Sequence, residues 1–342
     1  APGDADCFIL AATAGQKLVM NVRARRLGSP LDSILTLSNP RGQKLAENDD
    51  TPDPEEGLLT HHADSRILFT FPAAGDYVLR LRDVQGQGGP EYAYRLSVAA
   101  PQPDFALRVL PDNPRAACGD CAVLTVVAIR KDGFADPIEI EVADLPEGFA
   151  ASPAVIAPGQ DRCRLTIAVP ASAETGVVQP AIRGKARVGG KAVVRTALAA
   201  EEMMQAFSYK ALVVSKELSL SVLGAGPFTL AMGQPVDKPI DVPQGGQGTV
   251  VIKVVRTEKA GVQLRPDGPV PGLTVAGIFV APDKEEAVLT LAAAEKAPVG
   301  AVQNLIVTGT MRVGKETVTR TLPAIPIRIT AAKPKEPEPK KP

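Results

Sequence analysis

The sequence lacks most of what enzymes and nucleic-acid-binding proteins depend on. It has 342 residues, no Trp, two His and only 4% aromatic residues. Lys and Arg number 38, as do Asp and Glu, so the formal net charge is zero. Nucleic-acid binding needs a basic surface that releases phosphate counterions, so we expect no nucleic-acid partner. No run of about 18 apolar residues is present, which predicts no transmembrane segment.

Motifs that carry catalysis are missing as well. The chain has no Gly-x-Ser-x-Gly, no His-Glu-x-x-His and no phosphate-binding Gly-x-x-x-x-Gly-Lys followed by Ser or Thr. The glycine-rich stretch at 245–248 follows Pro243 and precedes an alternating apolar segment, which is typical of a hairpin turn. We therefore expect no catalytic residues and no bound organic cofactor.

Short alternating segments, separated by turn residues, fill the chain instead. Apolar residues make up 45% of it, with 30 Gly and 32 Pro. The segment 34–37 stops at Asn39-Pro40, and the segment 77–81 follows the turn Gly75-Asp76. No apolar segment of helical length has a period of 3.6 residues. The pattern predicts an all-β protein made of three β-sandwich domains in tandem.

The part of the chain after the first hundred residues contains an internal repeat. Gly148 recurs as Gly272 and Thr166 as Thr290, in each case 124 positions later (272 − 148 and 290 − 166). The turn glycine Gly189 recurs, after one inserted residue, as Gly314. Shared turn residues with diverged strands between them indicate two copies of one fold. Each copy has about 100 residues, a length typical of an immunoglobulin-like sandwich.

These patterns divide the chain into five segments. They are a β-sandwich at 1–100, the first immunoglobulin-like copy at 104–200, a connector at 201–216, the second copy at 217–331, and a tail at 332–342. In the connector we expect a helical turn at 201–207 and an extended segment at 209–214. The tail is rich in Pro, Lys and Glu, which predicts disorder.

Residues 1–98 resemble the bacterial pre-peptidase C-terminal domain, in the version common in large planctomycete-type secreted proteins. The matching stretches include Pro2-Gly-Asp-Ala-Asp-Cys-Phe8, Asn48-Asp-Asp50, His61-His-Ala-Asp-Ser-Arg66, Pro72-Ala-Ala-Gly-Asp-Tyr77 and Gly88-Gly-Pro-Glu-Tyr-Ala-Tyr-Arg-Leu96. The resemblance implies a jelly-roll-like β-sandwich, exported with its parent protein and followed by immunoglobulin-like modules. Family members accompany proteases or other hydrolases, and some bind insoluble protein substrates with calcium. The family's leading strand region with its Glu-Pro-Asn motif does not precede Asp4, so we expect this chain to be a piece of a longer polypeptide.

Acidic residues supply the candidate metal ligands. Asp4 and Asp6 alternate, so they share one face of the first strand. An acidic loop begins at Asn48, Asp49 and Asp50 and continues through Asp53, Glu55 and Glu56. Because Ca²⁺ prefers six to eight oxygen ligands, the candidate calcium ligands are Asp4, Asp6, Asn48, Asp49 and Asp50. The alternative is a solvated turn, where Asn and Asp are favoured for backbone reasons.

The two histidines are adjacent. On a regular strand His61 and His62 point to opposite faces, and Asp64 shares the face of His62. This spacing does not favour a transition-metal site.

Four cysteines occur, at positions 7, 118, 121 and 163. The spacing of Cys118 and Cys121 lacks the βαβ context of a redox site. The strands that carry Cys121 and Cys163 are expected to be neighbours, so in an oxidising compartment we expect Cys163 to bond with Cys118 or Cys121. A bond between Cys118 and Cys121 is the alternative. Cys7 is expected to be a buried thiol beside Phe8.

Two classes of function remain open. The favoured prediction is a non-catalytic, extracytoplasmic (periplasmic, cell-surface or secreted) structural or adhesive segment, which spaces or presents other modules of a larger protein. Its expected partners are other domains of the parent protein or of a surface assembly. The alternative is a ligand-binding accessory module of a secreted hydrolase, which recognises a protein or polysaccharide matrix with calcium. A hydrolase is the least favoured class.

Overall fold

The computed structural model describes residues 1–52, 61–204, 210–233 and 238–332. Within these ranges the chain forms β-strands, a single 3-10 turn at Arg25–Leu27 and no α-helix, so no helix there could cross a membrane. Two compact units are present: the first comprises Ala1–Phe105, Ile129–Phe134 and Glu202–Val213, and the second comprises Ala106–Ala128, Ala135–Glu201 and the residues from Val214 onward. The predicted all-β class is confirmed.

The first unit contains a sandwich of two antiparallel sheets. One sheet has the strand order β1-β8-β3-β4 and the other has the order β7-β2-β9, while β5 and β6 form a short separate pair. The strands are β1 (Ala5–Ala12), β2 (Lys17–Arg23), β3 (Ser33–Ser38), β4 (Lys44–Asn48), β5 (Thr51–Pro52), β6 (His61–His62), β7 (Arg66–Thr70), β8 (Gly75–Asp83) and β9 (Arg95–Ala99).

Strict alternation of side chains builds the core of this sandwich. Along β3 every second residue is buried, which places Leu35 and Leu37 inside and leaves Thr36 on the outer face. Met20 from β2 and Leu79 from β8 complete the buried layer with no exposed surface. The outer face of the four-stranded sheet is therefore free to carry polar side chains.

The two predicted copies follow, and most of their residues belong to the second unit. The first copy comprises β10 (Asp104–Leu110), β11 (Arg115–Ala117), β12 (Cys121–Lys131), β13 (Ile138–Ala143), β14 (Ala150–Ala151), β15 (Ala154–Ile156), β16 (Arg162–Ala168), β17 (Gly176–Val178), β18 (Ala181–Val188), β19 (Lys191–Thr196), β20 (Leu198–Met204), β21 (Lys210–Val214) and β22 (Leu220–Leu223). Its sheets have the orders β14-β16-β12-β10-β20-β21, β15-β13-β18-β19 and β11-β22-β17.

The second copy repeats the same three sheets. It comprises β23 (Phe228–Met232), β24 (Ile240–Pro243), β25 (Gln247–Arg256), β26 (Val262–Pro266), β27 (Leu273–Val275), β28 (Ile278–Val280), β29 (Glu286–Ala293), β30 (Val302–Leu305), β31 (Val307–Val313), β32 (Glu316–Thr321) and β33 (Ile325–Thr330). Its sheets have the orders β27-β29-β25-β23, β28-β26-β31-β32 and β24-β33-β30. Each order matches its counterpart in the first copy strand for strand, except that β20 and β21 extend the first sheet of the first copy.

Residue pairs confirm the internal repeat. Leu124 lies opposite Leu165 in the first copy, and Val250 lies opposite Leu289 in the second. All four side chains are at most 2% exposed. The hairpin turns at Gly189 and Gly314 have φ values of 56° and 59°, a left-handed conformation that favours glycine. The recurring glycines therefore mark the same turn in both copies.

Strand pairing places the change from one copy to the next after Leu223. The strand β22 (Leu220–Leu223) pairs in parallel with β11 and antiparallel with β17, both of the first copy. The expected boundary between residues 216 and 217 thus lies before the last strand of the first copy. The strands β20 and β21 have no counterpart in the second copy, where β33 follows β32 after three residues.

The expected connector is extended wherever it is described. The helical turn expected at 201–207 is wrong for residues 201–204, which belong to β20. The extended segment is confirmed at Lys210–Val214. Residues 205–209 and the tail from 333 onward lie outside the described residues.

Candidate functional site

The candidate calcium ligands lie on opposite edges of the four-stranded sheet. Asp6 on β1 is opposite Leu81 on β8, Leu81 is opposite Leu35 on β3, and Leu35 is opposite Asn48 on β4. Neighbouring strands are about 4.8 Å apart, so Asp6 and Asn48 are separated by roughly 14 Å. The two acidic groups therefore cannot be ligands of one ion.

Each candidate ligand has a local partner instead. Asp4 accepts a hydrogen bond of 2.8 Å from the amide of Ala5, and the Asp50 amide donates to Asp49 over 3.0 Å. The Asn48 side chain donates to the Asp50 carbonyl at 2.8 Å. Across the described residues no group of three or more His, Cys, Asp or Glu is arranged to hold a metal ion. Calcium binding stays a prediction, and Asp53, Glu55 and Glu56 of the acidic loop lie outside the described residues.

The Tyr94 hydroxyl donates a hydrogen bond to the carboxylate of Asp6. Burial raises the pKa of Tyr94, and the adjacent Asp6 carboxylate raises it further. This pair ties the segment before β9 to β1, so Asp6 has a structural contact.

Asp64 holds the chain at the 3-10 turn. Its fully buried carboxylate accepts hydrogen bonds from the amides of Ala24 (2.9 Å), Arg25 (2.7 Å) and Arg26 (3.3 Å) and from Nε of Arg26 (2.7 Å). Burial alone would raise the pKa of Asp64, but these hydrogen bonds outweigh it and hold the pKa below the ordinary value. After Arg23 the chain therefore leaves the strand, and Arg25 and Arg26 donate hydrogen bonds to this carboxylate. His62, on the same short segment, is buried.

The carboxylate of Asp83 likewise accepts hydrogen bonds from backbone amides in loops. Its carboxylate accepts from the amides of Asp32 (3.0 Å), Gln85 (3.0 Å) and Gln87 (2.9 Å). Both buried carboxylates therefore satisfy backbone donors in loops, which is a role in folding.

The predicted disulfide does not form, and all four cysteines are free thiols. The strands β12 and β16 are neighbours as expected, but Cys121 lies opposite Ala168 and Cys163 lies opposite Val126. Five strand positions (126 − 121) separate the two cysteines, about 17 Å, whereas a disulfide needs Cα atoms within about 7 Å. Cys118 precedes Cys121 at the end of β12 that is remote from Cys163.

The thiols differ in exposure. Cys118 is buried and donates to the Ala173 carbonyl over 3.2 Å. Burial raises the pKa of Cys121 and of Cys163 to about 12, which disfavours their reactive thiolate forms. Cys7 is exposed, so the expected burial of this thiol is wrong.

A groove of about 390 Å³ lies on the outer face of the four-stranded sheet. Its floor is formed by Val78, Arg80 and Arg82 of β8, which point outward at alternate positions. Thr36 of β3 lies opposite Arg80, and Glu47 of β4 lies opposite Thr36. The turn at 39–42 closes one side. Long-range strand pairing thus brings three strands together at one concave, polar surface.

Charge in this groove is unbalanced. Glu47 is already engaged by Lys44 Nζ at 2.8 Å and by the Thr36 hydroxyl at 2.9 Å, and these hydrogen bonds lower its pKa. Arg82 adds a favourable charge interaction with Glu47, and its guanidinium reaches the Asp83 carbonyl at 3.4 Å. Neither Arg80 nor Arg82 forms an ion pair with a carboxylate in the part of the chain that is described. The groove is therefore a candidate binding surface for an anion.

Within the second unit, polar side chains join the two copies. The Thr166 hydroxyl on β16 accepts from the amide of Ala324 at 2.8 Å, and the Asp120 carboxylate accepts from the amide of Thr321 at 2.7 Å. Thr166 is 1% exposed and Asp120 is 8% exposed. Arg320 lies 3.8 Å from the Asp120 carboxylate. Burial raises the pKa of Asp120, while the hydrogen bonds and Arg320 act against that rise.

A second set of contacts extends this joint. The Arg164 guanidinium pairs with the Asp267 carboxylate at 2.6 Å. The Asn304 side-chain amide donates to the carbonyls of Pro153 and Arg164, each at 2.8 Å. Side chains of each copy therefore bond to the other copy at several separate points, and the contacts include backbone groups, which have fixed positions. We call Asp120, Thr166, Arg164, Asn304 and Asp267 the joint residues.

Comparison with known proteins gives one partial sequence match. No protein-family model matches the sequence. A stretch of 81 residues is 37% identical to part of a probable subtilase-type serine protease of Deinococcus radiodurans. The match covers 23% of this chain and 10% of that protein, so the chain spans about a tenth of its relative's length.

Solved structures with similar strand arrangements are distant. The D00-D0 domain of intimin is 13% identical, with a TM-score of 0.22, over 66% of this chain and 99% of that chain. The fibronectin(III)-like modules of CbhA from Clostridium thermocellum are 9% identical, with a TM-score of 0.20, over 70% of this chain and 100% of theirs. The titin tandem immunoglobulin domains A164-A165 are 11% identical, with a TM-score of 0.19, over 68% of this chain and 100% of theirs.

The groove and the joint were not found by sequence reasoning. Alternation along β8 is visible in the sequence and places Arg80 and Arg82 on one face, but only strand pairing brings them beside Thr36 and Glu47. Thr166 repeats as Thr290, so the repeat itself gives no sign that Thr166 bonds to the neighbouring copy.

Proposed function

We propose that this chain is a non-catalytic structural or adhesive segment of a larger extracytoplasmic protein, and that it spaces or presents other modules. Periplasmic, cell-surface and secreted locations all fit this proposal. Its partners would be other domains of the parent protein or of a surface assembly. The partial match to a much longer protease is compatible with such an accessory position.

The observation that carries the proposal is the joint within the second unit. A flexible tether between modules needs few contacts, whereas a spacer must hold its modules at a fixed separation. Thr166 and Asp120 each accept a hydrogen bond from a backbone amide of the other copy, and both side chains are buried. Buried polar groups of this kind are costly to separate, because each would lose its partner. The joint therefore favours two copies that move as one body.

Distance measurement between the copies tests this proposal. Spin labels are attached at the exposed positions Lys191 and Lys315, which lie in corresponding hairpins, through an unnatural residue that leaves the cysteines untouched. Pulsed electron–electron double resonance on the full chain should give one narrow distribution of distances between the two labels. A broad distribution in the unaltered protein would contradict a spacing role.

A ligand-binding accessory module is the second candidate, and the groove beside Arg80 and Arg82 is the observation that favours it. In this alternative the first sandwich, which resembles the pre-peptidase C-terminal domain, recognises a protein or polysaccharide surface for a secreted hydrolase. Calorimetric titration with Ca²⁺ tests the calcium-dependent form. Heat of binding that Asp49→Asn and Asp50→Asn abolish would support it, and absence of heat would remove calcium from the account.

A further inference from the structure

The outer face of the four-stranded sheet carries more positive charge than its neighbours use. Arg80 is exposed and Arg82 is half-buried, two positions apart on the same face of β8. The carboxylate that lines the groove, Glu47, is already bonded to Lys44 and Thr36. A guanidinium presents several donors in a planar fork that matches a carboxylate. The floor of the groove thus offers two guanidinium groups side by side, each able to bind a carboxylate.

The distance between the two guanidinium groups indicates which class of ligand could bind to both. Residues two apart on a strand are about 6.7 Å apart, and the same spacing separates alternate side chains of an extended peptide. A peptide that lies along β8 with acidic residues at alternate positions would place one carboxylate over each arginine. The hydroxyl group of Ser38, which also lines the groove, is placed to bond to the backbone of such a peptide.

The lining also argues against a sugar polymer. Val78 and Pro40 are the apolar groups in the groove, and its lining contains no aromatic side chain. Aromatic rings are the groups that give a large, rigid contact area to flat ligands. Without them, affinity would rest on the charge pairs and on hydrogen bonds, which suits an extended acidic peptide.

We propose that the groove over Arg80 and Arg82 binds an extended acidic polypeptide segment that carries carboxylates at alternate positions. This site goes beyond the spacing role and does not depend on it, since it lies entirely within the first unit. It gives the segment a specific class of partner, an acidic stretch of another protein.

Binding is measured by fluorescence anisotropy on the full chain at low salt. The probe is a labelled peptide of alternating Glu and Thr, and the comparison peptide has the same composition with its Glu residues contiguous. Threonine is chosen because it favours the extended conformation. The alternating peptide should bind more tightly than the contiguous one, and added salt should weaken binding because partly exposed charge pairs are screened.

Substitution of the arginines identifies the site. Arg80→Gln with Arg82→Gln should weaken binding about tenfold, since two partly exposed charge pairs are lost. Arg80→Lys should retain part of the affinity. The matched control is Arg23→Gln with Arg95→Gln, two exposed arginines that are opposite one another on the other sheet, and it should change binding by less than about twofold. Circular dichroism verifies that each variant is folded.

Three results would overturn the proposal. The first is no binding of the alternating peptide to the unaltered protein. The second is equal loss in the groove variant and in the control variant, which would mean that only overall charge matters. The third is Arg80- and Arg82-dependent binding of polygalacturonate without binding of either peptide, which would make the ligand an acidic polysaccharide. A result on the distance between the two copies bears on none of these outcomes, so the two proposals fail separately.

Discussion

Single buried carboxylates hold the loops of the first sandwich in place. Asp64 accepts four hydrogen bonds from the turn at 24–26, and Asp83 accepts three from the loops that flank it. Backbone amides outside strands need such acceptors, because an unpaired buried donor costs free energy. The aspartates that the sequence offers as metal-ligand candidates are thus of two kinds, and the buried Asp64 is committed to the fold.

Asp64→Asn should destabilise the first unit by about 3 kcal/mol, because it leaves a partly buried Arg26 without its carboxylate. The folded-state pKa of Asp64 lies below its ordinary value. Its contribution is therefore fully present above the ordinary pKa of an aspartate and is lost as the pH falls through the lowered folded-state pKa. Urea unfolding at several pH values between about pH 5 and pH 2 should show a steeper acid loss in the unaltered protein than in the variant.

Asp49→Asn is the matched control, since the exposed Asp49, among the described residues, makes only a local hydrogen bond to the amide of Asp50. It should change the free energy of unfolding by less than about 0.5 kcal/mol. An Asp64→Asn protein as stable as this control at neutral pH would show that the hydrogen bonds to the Asp64 carboxylate contribute little to the free energy of unfolding.

Thiol titration tests the cysteine assignment. The protein, purified without reductant and unfolded in denaturant, should show four reactive thiols, because all four cysteines are free in the structure. In the native protein Cys7 should react first, since it is exposed while Cys118 and Cys121 are buried. If the denatured protein shows two reactive thiols, and the other two appear only after reductant is added, the protein contains a disulfide and the assignment is wrong.

At the scale of strands, the contact of β16 with the segment before β33 decides how the two copies are joined. Thr166→Val keeps the shape of the side chain but leaves the buried amide of Ala324 without its acceptor. We expect a loss of about 1–3 kcal/mol in the free energy of unfolding of the second unit, measured by chemical denaturation of the full chain.

The repeat supplies a control at the corresponding position. Thr290 occupies the place of Thr166 in the second copy, on β29, and no described side-chain hydrogen bond involves it. Thr290→Val should therefore cost less than about 0.5 kcal/mol. Equal losses at the two positions would assign the effect to the strand and not to the joint.

Strands were predictable from the sequence, but their partners were not. The alternation along 34–37 and 77–81 predicts β3 and β8, because period-2 burial depends only on neighbouring residues. The position of β22 in the first copy depends instead on pairing with β11. The first residue of β11, Arg115, comes about a hundred residues before Leu220, the first residue of β22. The same reason explains the wrong disulfide: two neighbouring strands were expected, but their register was not.

The candidate sites follow the same division. Arg80 and Arg82 are on one face because they alternate, which the sequence shows, whereas the groove exists because β3 and β4 lie beside them. The joint residues come from distant parts of the chain, and Thr166 recurs as Thr290 in the other copy, so internal comparison does not reveal them. The sequence shows where the acidic residues lie along the chain, but it does not tell those that support loops from those that could be ligands.

At the scale of the second unit, the account depends on the two copies behaving as one body. Two sandwiches that met only through a linker would open independently, each with its own free energy. The bonds from Asp120 and Thr166 to the backbone of the neighbouring copy predict shared opening instead.

Hydrogen exchange of the full chain, followed by mass spectrometry of peptides from β16 and β29, tests this most directly. We predict that the core amides of both strands exchange with a common opening free energy, and that Thr166→Val combined with Asp120→Ala separates the two values. Different opening free energies for β16 and β29 in the unaltered protein, unchanged by the two substitutions, would contradict the account.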